Sequence, residues 1–241
     1  MTAVAGMLLV DKPAQWTSHD CVAVLRKSLP RGTKVGHSGT LDPLATGLLV
    51  ILVGPCTRLQ ARLQGLDKTY SGTIRLGIKT DTGDITGKII ETKSVPALSL
   101  DRLKTALASM VGAIEAPAPA YSAVKHLGRP LYEYARAGLE IPRKSRTAVV
   151  SQWLALGWDC PELSHRLSCA SGTYVRTLAE VLGERLGCCA TVSSLRREKV
   201  GPFLLENAQP LDSLRALSSA ALTELLAGSL ASLETVVNSR V

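Results

Sequence analysis

Gly36-His37-Ser38-Gly39-Thr40-Leu41-Asp42-Pro43-Leu44-Ala45-Thr46-Gly47 runs directly into Leu48-Leu49-Val50-Ile51-Leu52-Val53. The second part is an apolar run of strand length and reads as buried. The first part holds three glycines in twelve residues, a backbone that can turn sharply and approach a ligand closely. Pro43 disfavours the helical region for Asp42 and holds it extended or in a turn. The stretch therefore presents one carboxylate on a stiff loop anchored to a core strand. An Asp-Pro pair by itself is an ordinary turn.

Moving outward from this loop, Met7–Val10 reads as a short buried strand ending at Asp11-Lys12-Pro13. Thr17 or Ser18 is an N-cap for an amphipathic helix over residues 19–29, with Val22, Leu25 and Leu29 in register. Arg26, Lys27, Arg31 and Lys34 cluster just ahead of the loop. Leu59, Leu63 and Leu66 predict a helix near 56–66. Residues 68–79 alternate, with Tyr70, Gly72, Ile74, Leu76 and Ile78 on one face, the pattern of a half-buried strand. Asp81-Thr82-Gly83-Asp84 is a turn cluster lacking the closing Glu of a calcium loop. A short strand at 88–92 and a helix from 99 or 100, with Leu103, Leu107 and Val111 in register, come next. Residues 116–125 read as extended, 129–137 as a helix, and 149–156 and 165–170 as strands. Thr173 reads as the N-cap of a helix carrying Leu178, Val181, Leu182 and Leu186. Arg176 then falls in its first turn, where a cation opposes the helix dipole and calls for a partner. Leu195-Arg196-Arg197 follows another strand and reads as a core Leu beside a basic edge.

With 241 residues, one large domain or one domain plus a small appendage is expected. The apolar fraction of 46% fits a globular core filled mostly by Leu and Val. The net charge is +8, with the basic excess in residues 1–210 and a slight acidic excess in 211–241. Such a balance suits a polyanion partner or, equally, a generic basic surface. The six cysteines form no Cys-x-x-Cys pair and no zinc spacing, so free thiols in a reducing cytoplasm are expected. The apolar stretch Ala3–Val10 is cut off by Asp11 and Lys12, and neither a leader nor a membrane anchor is expected.

The Gly36–Gly47 string resembles the active-site loop of the bacterial tRNA pseudouridine synthase B (TruB) family. So do Lys12-Pro13, Lys68-Thr69-Tyr70, Tyr121-Ser122-Ala123, Leu131-Tyr132-Glu133-Tyr134-Ala135-Arg136, Gly172-Thr173-Tyr174-Val175-Arg176-Thr177 and Leu195-Arg196-Arg197. The resemblance implies an α+β pseudouridine synthase fold: a mixed, largely antiparallel central sheet with flanking helices and a central catalytic cleft. It implies Asp42 as the catalytic nucleophile, although the residues alone leave nucleophile or base open. It implies substrate-binding roles for His37, Tyr70, Tyr174, Arg176 and Leu195. In that family's pattern Tyr70 would pack on the target base, Arg176 would pair with Asp42 and hold its pKa low, Leu195 would wall the pocket, and Lys12 would support the loop.

The implied reaction converts uridine to pseudouridine at position 55 of the tRNA T-loop. The base is flipped out and its glycosidic bond moves from N1 to C5. This needs no cofactor and no metal. The expected partner is tRNA through its T-stem-loop, with no membrane, no required protein partner and a monomeric state. Residues 1–210 are expected to form the catalytic domain. Residues 211–241 are expected to form a short helical extension, too little chain for the C-terminal PUA domain of many relatives. Two other classes remain open: a tRNA-folding chaperone, and an RNA-binding module with a degenerate site.

Overall fold

The computed structural model describes residues 4–122, 124–139, 141, 145–231 and 233. Ala123 and the side chain of Arg136, both named above, lie outside the described set. The chain divides into two compact units, residues 1–69 with 196–241, and residues 70–195.

The first unit opens with β1 (Gly6–Lys12) and α1 (Ser18–Lys27). Thr17 is the N-cap and forms a full capping box with Asp20, which explains why the helix starts there. An edge strand β2 (Val35–His37) leads into the glycine-rich loop, and β3 (Thr46–Val53) leaves it. A 3-10 turn over Gly54–Leu59, with Pro55 in its opening turn, and α2 (Gln60–Gln64) replace the single helix expected near 56–66. On β4 (Lys68–Leu76) the chain passes into the second unit; the strand alternates as its sequence predicts, but it stops at Gly77, whose φ of +91° breaks the strand. β5 (Ile78–Thr80) and β6 (Ile89–Thr92) form a separate small ribbon.

Next, α3 (Leu100–Ala108), capped by Ser99, buries Leu103 and Leu107. It ends before Val111, which is 48% exposed, and Met110 takes the expected inward place. β7 (Gly112–Pro117) follows. A hairpin of β8 (Lys125–His126) and β9 (Arg129–Pro130) then takes the start of the expected 129–137 helix, leaving α4 (Leu131–Arg136). The long β10 (Ser145–Asp159) and β11 (Glu162–Cys169) pair antiparallel, and β10 also pairs antiparallel with β7. α5 (Val175–Arg185) comes before β12 (Ala190–Val200), on which the chain returns to the first unit. β13 (Phe203–Leu204), β14 (Gln209–Pro210), α6 (Leu211–Arg215) and α7 (Ser219–Gly228) follow among the described residues.

Strand order in the first unit is β14-β1-β3-β12, with β2 added on β3 and β13 on β12. In the second it is β12-β4-β11-β10-β7. The architecture is α+β with a mixed, largely antiparallel sheet. β3 is the hub of the first unit. Its residues Gly47–Val53 are buried, and Met7, Leu48, Val50, Leu52, Leu63, Val200 and Phe203 form its core. In the second unit Ile74, Leu103, Leu107, Trp153, Leu163, Leu167, Leu178 and Leu182 are buried. Four of the cysteines are buried thiols, whereas Cys160 is exposed and Cys56 half-buried. Among the described residues, no helix is long and apolar enough to cross a membrane.

Candidate active site

In the first unit the Gly36–Gly47 loop is held by side chains that reach in from elsewhere. The Asp42 carbonyl accepts a hydrogen bond from Ala45 N at 3.0 Å, so Asp42 opens a tight turn with Pro43 at its second position. Ahead of it, Leu41 is buried and gripped at both backbone groups by Ser18. Leu41 N donates to Ser18 Oγ at 2.8 Å, and Ser18 Oγ donates back to the Leu41 carbonyl at 3.2 Å. Behind it, the Pro43 carbonyl accepts from Gln15 N at 2.8 Å and from Lys12 Nζ at 3.5 Å. Lys12 is fully buried and also donates to the carbonyls of Pro13 (2.8 Å) and Trp16 (2.6 Å). Three donated bonds require the ammonium form. Burial lowers the Lys12 pKa, and the negative charge of Asp42 acts against that shift. The expected supporting place of Lys12 has a concrete form: it ties the Pro13–Trp16 turn to the residue after Asp42.

Arg197 is the anchor that the sequence pattern missed. Leu195, Arg196 and Arg197 lie within β12 rather than after it, and Arg197 is 1% exposed rather than part of a basic edge. Its Nε donates to the Leu48 carbonyl at 2.7 Å, Nη2 to Gly39 at 3.1 Å and Nη1 to Thr40 at 3.4 Å. Arg196 takes the basic-edge place instead, forming an ion pair with Asp11 at 2.7 Å. The arrangement needs Gly47: its φ is +97°, and a Cβ there would lie 2.4 Å from the Arg197 carbonyl oxygen. His37 sits on β2 opposite Ile51, with Nδ1 buried and unpartnered. Burial, helped by the Arg197 charge, lowers its pKa and keeps the imidazole neutral near pH 7.

The second unit positions its candidates differently. Tyr70 is buried at the start of β4, and Leu195 is buried on β12. Gly72 lets those two strands approach closely, since a Cβ there would lie 2.2 Å from the Ser194 carbonyl oxygen. The N-cap of α5 is Tyr174, one residue beyond the expected Thr173, whose Oγ1 is buried without a partner. Arg176 does fall in the first turn, 5% exposed. Its Nη1 donates to the Thr82 carbonyl at 2.7 Å and Nη2 to the Tyr121 carbonyl at 2.9 Å, acceptors that offset the unfavourable dipole. The Asp81–Asp84 turn makes this cradle. Asp84 Oδ1 accepts from Thr86 N and Thr82 Oγ1, folding the loop so that the Thr82 carbonyl meets Arg176. Gly83, with φ +76°, lies flat against the Arg176 stem.

The comparisons with known proteins agree with this fold. Residues 26–175 match the model of the TruB family pseudouridylate synthase N-terminal domain, and residues 176–238 match that of the tRNA pseudouridylate synthase B C-terminal domain. A tRNA pseudouridine synthase B of Aromatoleum aromaticum is 45% identical over 224 residues, covering 93% of this chain and 72% of that protein. One of Opitutus terrae is 45% identical over 212 residues, covering 88% of each. Among solved structures, a chain of a Cbf5-Nop10-Gar1 complex superposes with a TM-score of 0.68 at 28% identity. That match covers 87% of this chain but only about half (53%) of the longer one. The fold defines a pseudouridine synthase. The chain belongs to the TruB family of these enzymes.

Proposed function

We propose that this protein isomerises the uridine at position 55 in the T-loop of tRNA to pseudouridine, acting in the cytoplasm with Asp42 as nucleophile. The observation that carries the reading is the anchorage of the Asp42 loop. Lys12, Ser18 and Arg197 all grip backbone groups on either side of Asp42, and so serve to hold one short carboxylate in a single pose. Its relatives are named tRNA pseudouridine synthase B, and the basic excess in residues 1–210 suits a polyanionic substrate.

In this reading the target nucleotide leaves the loop stack at a cost of a few kcal/mol. Stacking on Tyr70 returns about 1–3 kcal/mol. The Asp42 carboxylate attacks the ribose carbon of the flipped nucleotide as the N1 glycosidic bond breaks, the base turns, and C5 bonds to that carbon as the carboxylate leaves, N1 taking up a proton. Loss of the C5 proton then restores the ring. Arg176 stabilises the carboxylate and the substrate, Leu195 excludes water, and His37 and Tyr174 contact the displaced nucleotides. Lys12 acts only through the loop. Residues 1–210 form the catalytic portion and 211–241 a helical extension, the protein working as a monomer without a protein partner.

The test is position-resolved pseudouridine mapping on an unmodified tRNA transcript, with the wild type and Asp42→Asn. Modification at the single T-loop uridine, abolished in the variant while tRNA binding persists, is the expected result. An Asp42→Asn protein of normal activity overturns the nucleophile. Wild-type modification elsewhere overturns the position.

A further inference from the structure

The first unit has an open cavity of about 410 Å³ lined by Arg26, Thr33, Lys34, Val35, Gly36, Thr57 and Gln60. Its volume falls within the roughly 300–1,000 Å³ of ligand sites. Its lining holds two cations and no carboxylate. Among the described residues Arg26 and Lys34 form no ion pair, although exposed cations elsewhere in the chain, such as Lys104 and Arg215, do.

The cations are also held in place. Arg26, in the last turn of α1, donates one Nη2 bond to the Val35 carbonyl at 3.2 Å. That bond fixes the plane of a fork whose other N–H groups remain for a ligand. Lys34 is pinned through its backbone, its carbonyl accepting from Gly54 N at 2.7 Å, where the turn carrying Thr57 begins. The hydroxyls of Thr33 and Thr57 already donate to the carbonyls of Pro30 and Gly54. The donors free for a ligand are thus Arg26, Lys34 and the Gln60 amide, with the Thr57 methyl as a wall. Cations with donors in an open, acid-free cavity match a phosphodiester oxygen pair.

The geometry points to this cavity as a seat for a backbone phosphate of the RNA substrate, separate from the reacting nucleotide. Val35 and Gly36 of β2 line it and His37 follows them on the same strand, so the seat adjoins the start of the glycine-rich loop. It therefore grips the polynucleotide at a second point and contributes to affinity and register. This rests on the tRNA reading above.

The experiment measures the affinity of an unmodified tRNA transcript across a potassium chloride series. It compares wild type, Lys34→Gln, Arg26→Gln/Lys34→Gln, and a charge-matched control, Arg102→Gln/Lys104→Gln on exposed α3. Lys34→Gln removes a side chain without a hydrogen bond among the described residues, so it leaves the fold intact. The seat predicts about tenfold weaker binding of the double variant near 0.1 M salt and a salt slope shallower by about 1–2, with Lys34→Gln about half of that. Lys34→Arg retains wild-type behaviour and the control matches wild type. An unchanged slope in the double variant, or an equal loss in the control, overturns the seat while leaving the parent reading intact. A wild type that binds tRNA at no salt concentration overturns both.

Discussion

Asp42 in the first unit and Arg176 in the second are fixed by opposite means. Asp42 has a short side chain, and its place is set by its backbone. Lys12, Ser18 and Arg197 reach from β1, α1 and β12 to grip the residues on either side of it. Arg176 has a long side chain and anchors itself, donating to two backbone carbonyls supplied by surface turns. A short functional group thus distributes its requirements over distant sequence. A long one concentrates them in its own guanidinium, provided that some carbonyl is within reach.

The largest effect that tests this contrast is removal of Arg176 itself. Arg176→Met should cut the single-turnover rate of pseudouridine formation by at least about 10²-fold, a loss typical of removing a stabilising donor. Tyr121→Ala, which keeps the carbonyl acceptor, should cost far less. Equal losses in the two variants would break the self-anchoring half of the contrast. Next comes Arg197→Met, which leaves the Gly39, Thr40 and Leu48 carbonyls without their donor in the core. Urea unfolding should show a loss of about 3–5 kcal/mol, and the rate should fall although Asp42 is untouched. A variant that loses stability but keeps the wild-type rate would show that the loop holds its pose without Arg197.

A titration separates the units by a different lever. His165, fully buried on β11, accepts from Trp153 Nε1 at Nδ1 (3.2 Å), and burial lowers its pKa from 6.5 to about 4. The neutral imidazole therefore belongs to the folded state. Its contribution is complete above pH 6.5 and lost as the pH falls towards 4, about 2 kcal/mol between pH 7 and 5. His165→Gln should flatten this acid limb, read by urea unfolding at both pH values and by hydrogen exchange in β10 and β11. An unaltered limb would assign the acid sensitivity elsewhere. The smallest expected effect is Ser18→Ala, which leaves Leu41 N unpaired at about 1–2 kcal/mol with a modest drop in rate. A neutral Ser18→Ala would reduce the anchors of the loop from three to two.

Local patterns carried the elements well. The apolar run after the loop is β3, the Thr17 cap opens α1, and the alternation from Lys68 describes β4 up to Gly77. Where local signals compete, the tertiary context won. Met110 replaced Val111 because α3 stops a turn early, and the β8–β9 hairpin displaced the first turn of a helix. The candidate site was legible where its residues sit in a contiguous unusual string, as at Gly36–Gly47. It was illegible at Ser18 and Arg197, whose partners lie 23 and up to 158 positions away.

The sequence by itself determined that a carboxylate rides on a glycine-rich turn before a buried strand. It also determined that Arg176 opens a helix and that the chain is basic up to its last thirty or so residues. Those facts depend on residue type and near spacing, which the chain states outright. Only the tertiary structure decided that Arg197 is buried while its neighbour Arg196 faces Asp11, and that Lys12 serves carbonyls. Two adjacent arginines on one strand point to opposite faces, and which face is interior depends on what the sheet packs against.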